Sequence, residues 1–304
     1  VMPDDCFGKN LVFVVSGGRT GTQFFGDQLG SAIEDCFSVH DPDILSVFRE
    51  RVMSRIRTFG FRHMVIDRLL QRSGLRVIGQ RLITGQIDER EALQRLHQMR
   101  DHYYNSIPQS LIAESNSQWL YVVDQLARLW PHARVVVVIR DPRSWIRSWM
   151  NKGYHQRPYD PVKLIPPGRL RPADVGDEQW VSQWKRFDTF GRLAWEWRFV
   201  YGRLYRHMQT NPNCRFFRFE DVFNREDTSA MFDLVQFSAS HDAKNYPFRI
   251  PSGFSGRVQN ASAGNSPEWR DWDSAQARLV HQLCGGLMRR FQYGLEDEWK
   301  QKLD

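Results

Sequence analysis

The 304-residue chain has little of what staples, spans or ligates. Its four cysteines, Cys6, Cys36, Cys214 and Cys284, are scattered with no C-x-x-C pair. That spacing excludes a zinc knuckle and a dense disulfide framework, and makes a reducing, cytoplasmic setting the expectation. No apolar run approaches the roughly 20 residues that cross a bilayer; the longest clean one is Val135 to Ile139. Val1 to Lys9 is mixed and polar, without the basic stretch and apolar core of a secretory leader. His97 and His102 are five apart and do not share a helix face, and no H-E-x-x-H occurs, so no metal site is expected. The absence of a G-x-S-x-G elbow leaves a serine nucleophile unsupported.

Lysine is also scarce, with seven in the chain, so the basicity is guanidinium. The formal charge is +7 and the pI about 9.4. From Arg49 to Arg81 nine arginines face only Glu50 and Asp67, an excess equal to that of the whole chain. Such a segment is either a guanidinium wall for an anionic substrate or a solvated helical face. No base-stacking signature accompanies it, so nucleic acid is not an expected partner. With 41% apolar and 25% charged residues and a mean hydropathy of −0.55, the composition is that of a globular protein.

Leu11 to Val15 is a β-branched apolar run that ends in Ser16-Gly17-Gly18, which predicts a buried strand entering a glycine turn. Thr22 to Ile33 has helical spacing, Cys36 to Val39 reads as a second strand, and residues 44 to 104 form a series of Arg-rich helices. A strand at Leu111 to Ala113 precedes a helix from Ser117 to Trp130. Arg134 to Ile139, apolar without alternation, predicts a strand covered on both faces. Asp141 and Pro142 then supply a cap and a first helical residue for a helix through Met150. Helices from about Asp177 to Met208, a strand from Cys214 to Phe219 and a helix from Ser274 to Phe291 complete the pattern, and the five prolines of Gly153 to Pro172 mark a long loop. The alternation implies an α/β fold with a central parallel sheet flanked by helices, whose ligands sit at the strands' carboxyl ends.

Gly17-Gly18-Arg19-Thr20-Gly21-Thr22-Gln23 offers close backbone approach, two hydroxyls and a helix N-terminus, all suited to a phosphate. It is not the G-x-x-x-x-G-K-[ST] pattern, because Thr22 follows Gly21. Arg140 ends the central strand and Ser148 lies two helical turns into the next helix, so the two can grip one phosphate. The aromatic residues Trp180, Trp184, Trp195 and Trp197 are either core or the wall of a sugar or aromatic site.

These two motifs together resemble the sulfotransferases that use 3′-phosphoadenosine 5′-phosphosulfate (PAPS). The family's loop [KR]-[ST]-G-T-[TS] is similar to Arg19-Thr20-Gly21-Thr22-Gln23, and its R-D/N-P with a serine eight residues on is matched by Arg140-Asp141-Pro142 and Ser148. Glu114-Ser115-Asn116 and Leu283 to Tyr293 also look like bacterial members, so the resemblance runs from about Leu11 to Tyr293 and is weakest over 44–104 and 153–177. Arg19 stands where the family has lysine, and Gln23 where it has a hydroxyl.

The resemblance implies a single domain over 1–304 of the three-layer, P-loop-NTPase-like kind, with an Arg-rich helical insertion at about 44–104 and a Pro-rich loop at about 153–176. It implies in-line sulfuryl transfer, without a metal, to a hydroxyl or amine of a small-molecule, lipid or saccharide acceptor, leaving 3′-phosphoadenosine 5′-phosphate (PAP). Gly18, Arg19, Thr20, Gly21, Thr22 and Gln23 would hold the 5′ end, with Arg19 at the leaving oxygen. Arg140, Ser148 and Arg257 would hold the 3′-phosphate. His40 and Asp41 are the candidates for the base, Asp41 preferred, and Glu114 is a third whose context points to substrate or loop positioning. A nucleotide-dependent kinase and a catalytically silent glycan- or nucleotide-binding module are the alternatives.

Overall fold

A computed structural model of the chain describes residues 8–43, 49–67, 73–153, 169–242, 244–251, 254 and 264–304. Most of the Pro-rich loop, and Arg257 with it, lie outside the described residues. Five strands, β1 (Asn10–Val15), β2 (Cys36–His40), β3 (Leu111–Ser115), β4 (Arg134–Ile139) and β5 (Cys214–Arg218), pair entirely in parallel in the order β2-β3-β1-β4-β5.

The strand sequences explain the layers. In β1 the odd positions Leu11, Phe13 and Val15 pack into one apolar cluster, while Val12 and Val14 pack into another on the opposite face. In β4, Val135, Val137 and Ile139 likewise join the first cluster, and Val136 and Val138 the second. A strand wetted on one face would alternate polar and apolar residues. Continuous Val and Ile is the pattern of a strand with helices on both sides, and the result is an α/β fold of three layers.

One layer holds α1 (Thr22–Ala32) and a helix over Ser229–Ala239, which the periodicity had not marked. The other holds α3 (Leu75–Ile83), α4 (Glu89–Asn105), α5 (Val123–Leu129), α6 (Pro142–Lys152), α8 (Thr189–Thr210) and a helix over Ser274–Arg290. The Arg-rich stretch contains α2 (Arg49–Phe59), a π turn (Arg62–Ile66), α3 and α4, in accord with the helical expectation.

One expected long helix is divided. Ser117–Tyr121 is a 3-10 turn and α5 begins only at Val123, because Val122 adopts φ −130° between them. The tighter turn sinks Trp119 and Leu120 into the core. The helices expected over about 177–208 are α7 (Glu178–Trp184) and α8, whose start is capped by the Asp188 carboxylate accepting from Gly191 N at 2.9 Å.

Strand order reverses about β1, whose neighbours are β3 and β4. The carboxyl end of β1 therefore opens into the crevice where ligands of open α/β sheets bind. Cys36, Cys214 and Cys284 are buried and unbridged, and Cys6 lies outside the described residues.

Candidate active site

β1 delivers the chain into the loop from Ser16 to Gly21, and the loop is wound tightly on itself. The Ser16 hydroxyl accepts from Gly18 N at 3.1 Å and from the Thr20 hydroxyl at 2.6 Å. Gly18, Arg19 and Gly21 all have positive φ. Gly21, at φ 78°, faces the Phe223 ring so closely that a Cβ would meet it at 2.6 Å, so any other residue would have to push the ring aside and hold a left-handed backbone. Gly21 is also the cap residue of α1 and supplies no side-chain acceptor, which leaves the first N–H groups of that helix facing the loop.

The second motif converges on the same loop. Asp141 caps α6 by accepting from Arg143 N at 2.8 Å, with Pro142 in the first helical turn, as its sequence predicts. Arg140 donates through Nη1 to the Arg19 carbonyl at 2.9 Å and through Nε to the Ser144 hydroxyl at 2.9 Å, with its guanidinium 4.6 Å from the Phe219 ring centre. Ser148 accepts from Arg19 Nε at 3.0 Å. Ser148 thus touches the arginine of the first motif, and Ser144, one turn earlier and four residues after Arg140, takes the contact with Arg140. That i, i+4 spacing was the available signal for Ser144.

Arg140 and Arg19 form the positive centre of this locus. Burial lowers the pKa of Arg140, the Glu220 carboxylate opposes that, and nearby Arg19 adds to it; burial likewise lowers Arg19. Arg140 has no carboxylate within ion-pair distance among the described residues. Its neighbour Arg143 contrasts with it, paired with Asp141 at 2.6 Å and Glu296 at 2.8 Å.

Distant residues fix the loop, and no local pattern announced them. Tyr201 on α8 accepts from Gly17 N at 3.3 Å, and Trp145 donates to the Gly18 carbonyl at 2.9 Å. Trp197 donates to the Arg140 carbonyl at 2.9 Å. Tyr293 donates to Glu220 at 2.6 Å and also lies 3.3 Å from the Ile139 carbonyl. Each satisfies a backbone group that the turn after a strand would otherwise strand.

At the end of β2, His40 Nε2 lies 3.3 Å from the Thr22 hydroxyl in the first turn of α1 and 3.5 Å from Asp41 Oδ2. Gly26 permits this, since a Cβ there would come within 2.5 Å of His40. Asp41 is held at φ 45°, and Arg55 donates to its carbonyl at 3.2 Å. Its Oδ1 is buried and has no hydrogen-bond partner among the described residues. Burial, followed by repulsion from Asp43 and Glu114, pushes the Asp41 carboxyl up to about 7. Burial pulls His40 down, which favours its neutral ring.

Glu114, at the end of β3, lies in different surroundings. Arg100 reaches it with Nε at 2.8 Å and Nη2 at 2.7 Å, Tyr104 donates at 2.7 Å and Trp119 at 3.0 Å. Glu114 is fully buried, with each oxygen bonded twice within the protein, so it braces the floor of the site where the sequence reading had it face a substrate. Gln23, the loop's terminal amide, is exposed at the start of α1.

A cavity of about 530 Å³ opens beside Gly17 and Gly18, between α3, α6, α8 and the 3-10 turn after β3. Of the tryptophans singled out in the sequence, Trp184 and Trp195 line it, whereas Trp180 and Trp197 are core.

The family model described as "Sulfotransferase family" matches residues 12–226, a span holding both motifs. The chain belongs to the sulfotransferase family. No curated protein matches this sulfotransferase. Among solved structures it is similar to the "Sulfotransferase Domain from the Curacin Biosynthetic Pathway", at 13% identity and a TM-score of 0.42, over 95% of this chain and 99% of that one. No group of three or more His, Cys, Asp or Glu side chains suited to a metal occurs among the described residues, and no described helix is long and apolar enough to cross a membrane.

Proposed function

We propose that this sulfotransferase takes its sulfuryl group from PAPS and delivers it to an acceptor hydroxyl by in-line displacement, with Asp41 as the base. The observation that carries the reading is the junction of the two motifs. Arg19 Nε bonds Ser148 and Arg140 bonds the Arg19 carbonyl, so two guanidiniums, a hydroxyl and a helix N-terminus meet in one locus. Arg140 and Arg19 are both partly desolvated, and Arg19 further lowers Arg140, so a bisphosphate between them relieves both. The residues present fit the donor.

In this reading the backbone of Gly18 to Thr22 and Arg19 bind the 5′ end and stabilise charge on the leaving oxygen, while Arg140 and Ser148 hold the 3′-phosphate. Phe219 offers a flat face beside Arg140. The donor supplies an activated sulfuryl group: the acceptor oxygen bonds to sulfur as the bond from sulfur to the phosphate oxygen breaks, releasing PAP. Asp41 takes the acceptor's proton, and a carboxyl poised at about 7 suits that transfer near neutrality. His40 orients Asp41 and the Thr22 hydroxyl.

Titration calorimetry on the whole chain tests the donor. PAP is expected to bind tightly in the absence of magnesium and ATP with magnesium weakly; the reverse order favours the kinase reading, and binding of neither removes the assignment. In Arg140→Ala, loss of a charge-assisted contact of about 1.5–3 kcal/mol weakens PAP about 10- to 150-fold. Adenosine 5′-phosphate is expected to lose far less, and equal losses would sink the 3′-phosphate role. PAP binding without turnover on any acceptor favours the silent-module reading.

A further inference from the structure

The cavity beside Gly17 and Gly18 has a composition that the nucleotide locus does not explain. Its volume, about 530 Å³, is that of a small-molecule site. Trp149, Trp184, Trp195 and Phe199 provide flat apolar faces in its wall. Four arginines, Arg76, Arg169, Arg171 and Arg192, line the same space against a single carboxylate, Glu196. Arg169 lies 3.9 Å from Glu196, and Arg171 pairs with Asp174 outside the cavity at 3.1 Å. Arg76 on α3 and Arg192 on α8 have no carboxylate partner among the described residues, and Arg192 lies 5.4 Å from the Trp184 ring centre.

A further observation points to a hydroxyl-bearing guest. Gln80 lines the cavity, is 1% exposed, and its Oε1 has no hydrogen-bond partner among the described residues. A buried amide oxygen left unpaired is costly, so a turn of the Gln80 side chain toward a guest's donor in the cavity is favoured.

Resting on the sulfotransfer reading, we infer that this cavity takes the acceptor, and that the acceptor is a hydroxylated ring compound carrying an anionic group. The ring lies on the tryptophan faces, as sugars and aromatic rings both do, and a hydroxyl donates to Gln80 Oε1. The carboxylate, phosphate or sulfate is held by Arg76 and Arg192. Gly17 and Gly18 place the other end of the cavity at the phosphate loop, where a further hydroxyl meets the sulfuryl group. The Arg-rich segment contributes Arg76 to this wall, so the excess charge of that segment acts in part on the substrate.

The test is a ligand-observed NMR titration of the full chain, with and without saturating PAP. Two matched pairs serve as probes: 4-hydroxyphenylacetate against 4-(2-hydroxyethyl)phenol, and methyl β-glucuronide against methyl β-glucoside. At least one anion is expected to bind at least tenfold more tightly than its neutral partner, and the pair that responds says whether the ring is aromatic or a sugar. Arg76→Gln and Arg192→Gln are each expected to weaken the anion 3- to 10-fold and leave the neutral probe unchanged, with Arg76→Lys restoring most of the loss. Equal binding within both pairs, no binding of any probe, or no effect of either glutamine variant overturns the inference. Failure of PAP to bind while the anion preference persists would instead count against the donor assignment alone.

Discussion

The ends of β2 and β3 lie side by side, and each carries a carboxylate over the same floor, yet the two have opposite surroundings. Glu114 is embraced by Arg100, Tyr104 and Trp119. Asp41 has one long contact to His40 and an oxygen with no partner among the described residues. A single arginine sets the difference, because Arg100 also reaches Asp43, at 3.3 Å, and stops short of hydrogen-bonding Asp41. Burial disfavours the charge on Arg100, but Asp43 and Glu114 outweigh burial and hold its pKa well above the ordinary value. Paired burial makes a brace, and unpaired burial makes a proton acceptor.

The comparison breaks most sharply under Asp41→Asn. Turnover is expected to fall about 10²- to 10⁴-fold, with PAP affinity within about twofold of the parent by calorimetry. Unchanged turnover would remove Asp41 as the base. The opposite variant, Glu114→Ala, leaves Arg100 with one of its two carboxylates, and a loss of about 3–5 kcal/mol is expected in denaturant unfolding. A change below about 1 kcal/mol would show that the network braces nothing.

Titration sharpens the same contrast. As the proposed base, Asp41 must be ionised, so kcat/KM should rise with pH through about 7, and the limb should vanish in Asp41→Asn. The stability effect has the other sign. With its folded pKa raised, Asp41 holds its proton in the native state at pH values where the unfolded chain has lost it, so its contribution declines as pH rises from about 4 to 7. Asp41→Asn should therefore raise Tm at pH 7 more than at pH 5, and an equal shift at both would place the shifted group elsewhere. The smallest effect is expected from Gly21→Ala, where the Phe223 ring can give way; PAP binding should weaken several-fold as the loop shifts, measured by the same calorimetry.

The glycine-turn side of the site was readable because its parts are local. Strand, glycine turn and helix start are consecutive, and Asp141-Pro142 caps its own helix, so backbone preferences and nearest neighbours write the pattern into adjacent letters. The His40-Asp41 pair could be placed at a strand end, but its unequal pKa shifts arise first from burial and then from charges such as Asp43, Glu114 and Arg55, all set by packing. Glu114 was legible as a strand end and illegible as a brace, since its partners come from α4 and the turn after β3.

The cavity shows the division most plainly. Arg76, Trp149 and Arg192 stand far apart in the chain and meet only because α3, α6 and α8 pack around the end of β1. The sequence by itself determined the parallel sheet, the glycine loop and the second motif, because apolar continuity, glycine and caps act over a few residues. Tertiary structure alone decided which tryptophans face a cavity, which carboxylate is neutralised and which arginines stay available, because burial and long-range charge are properties of the packed chain.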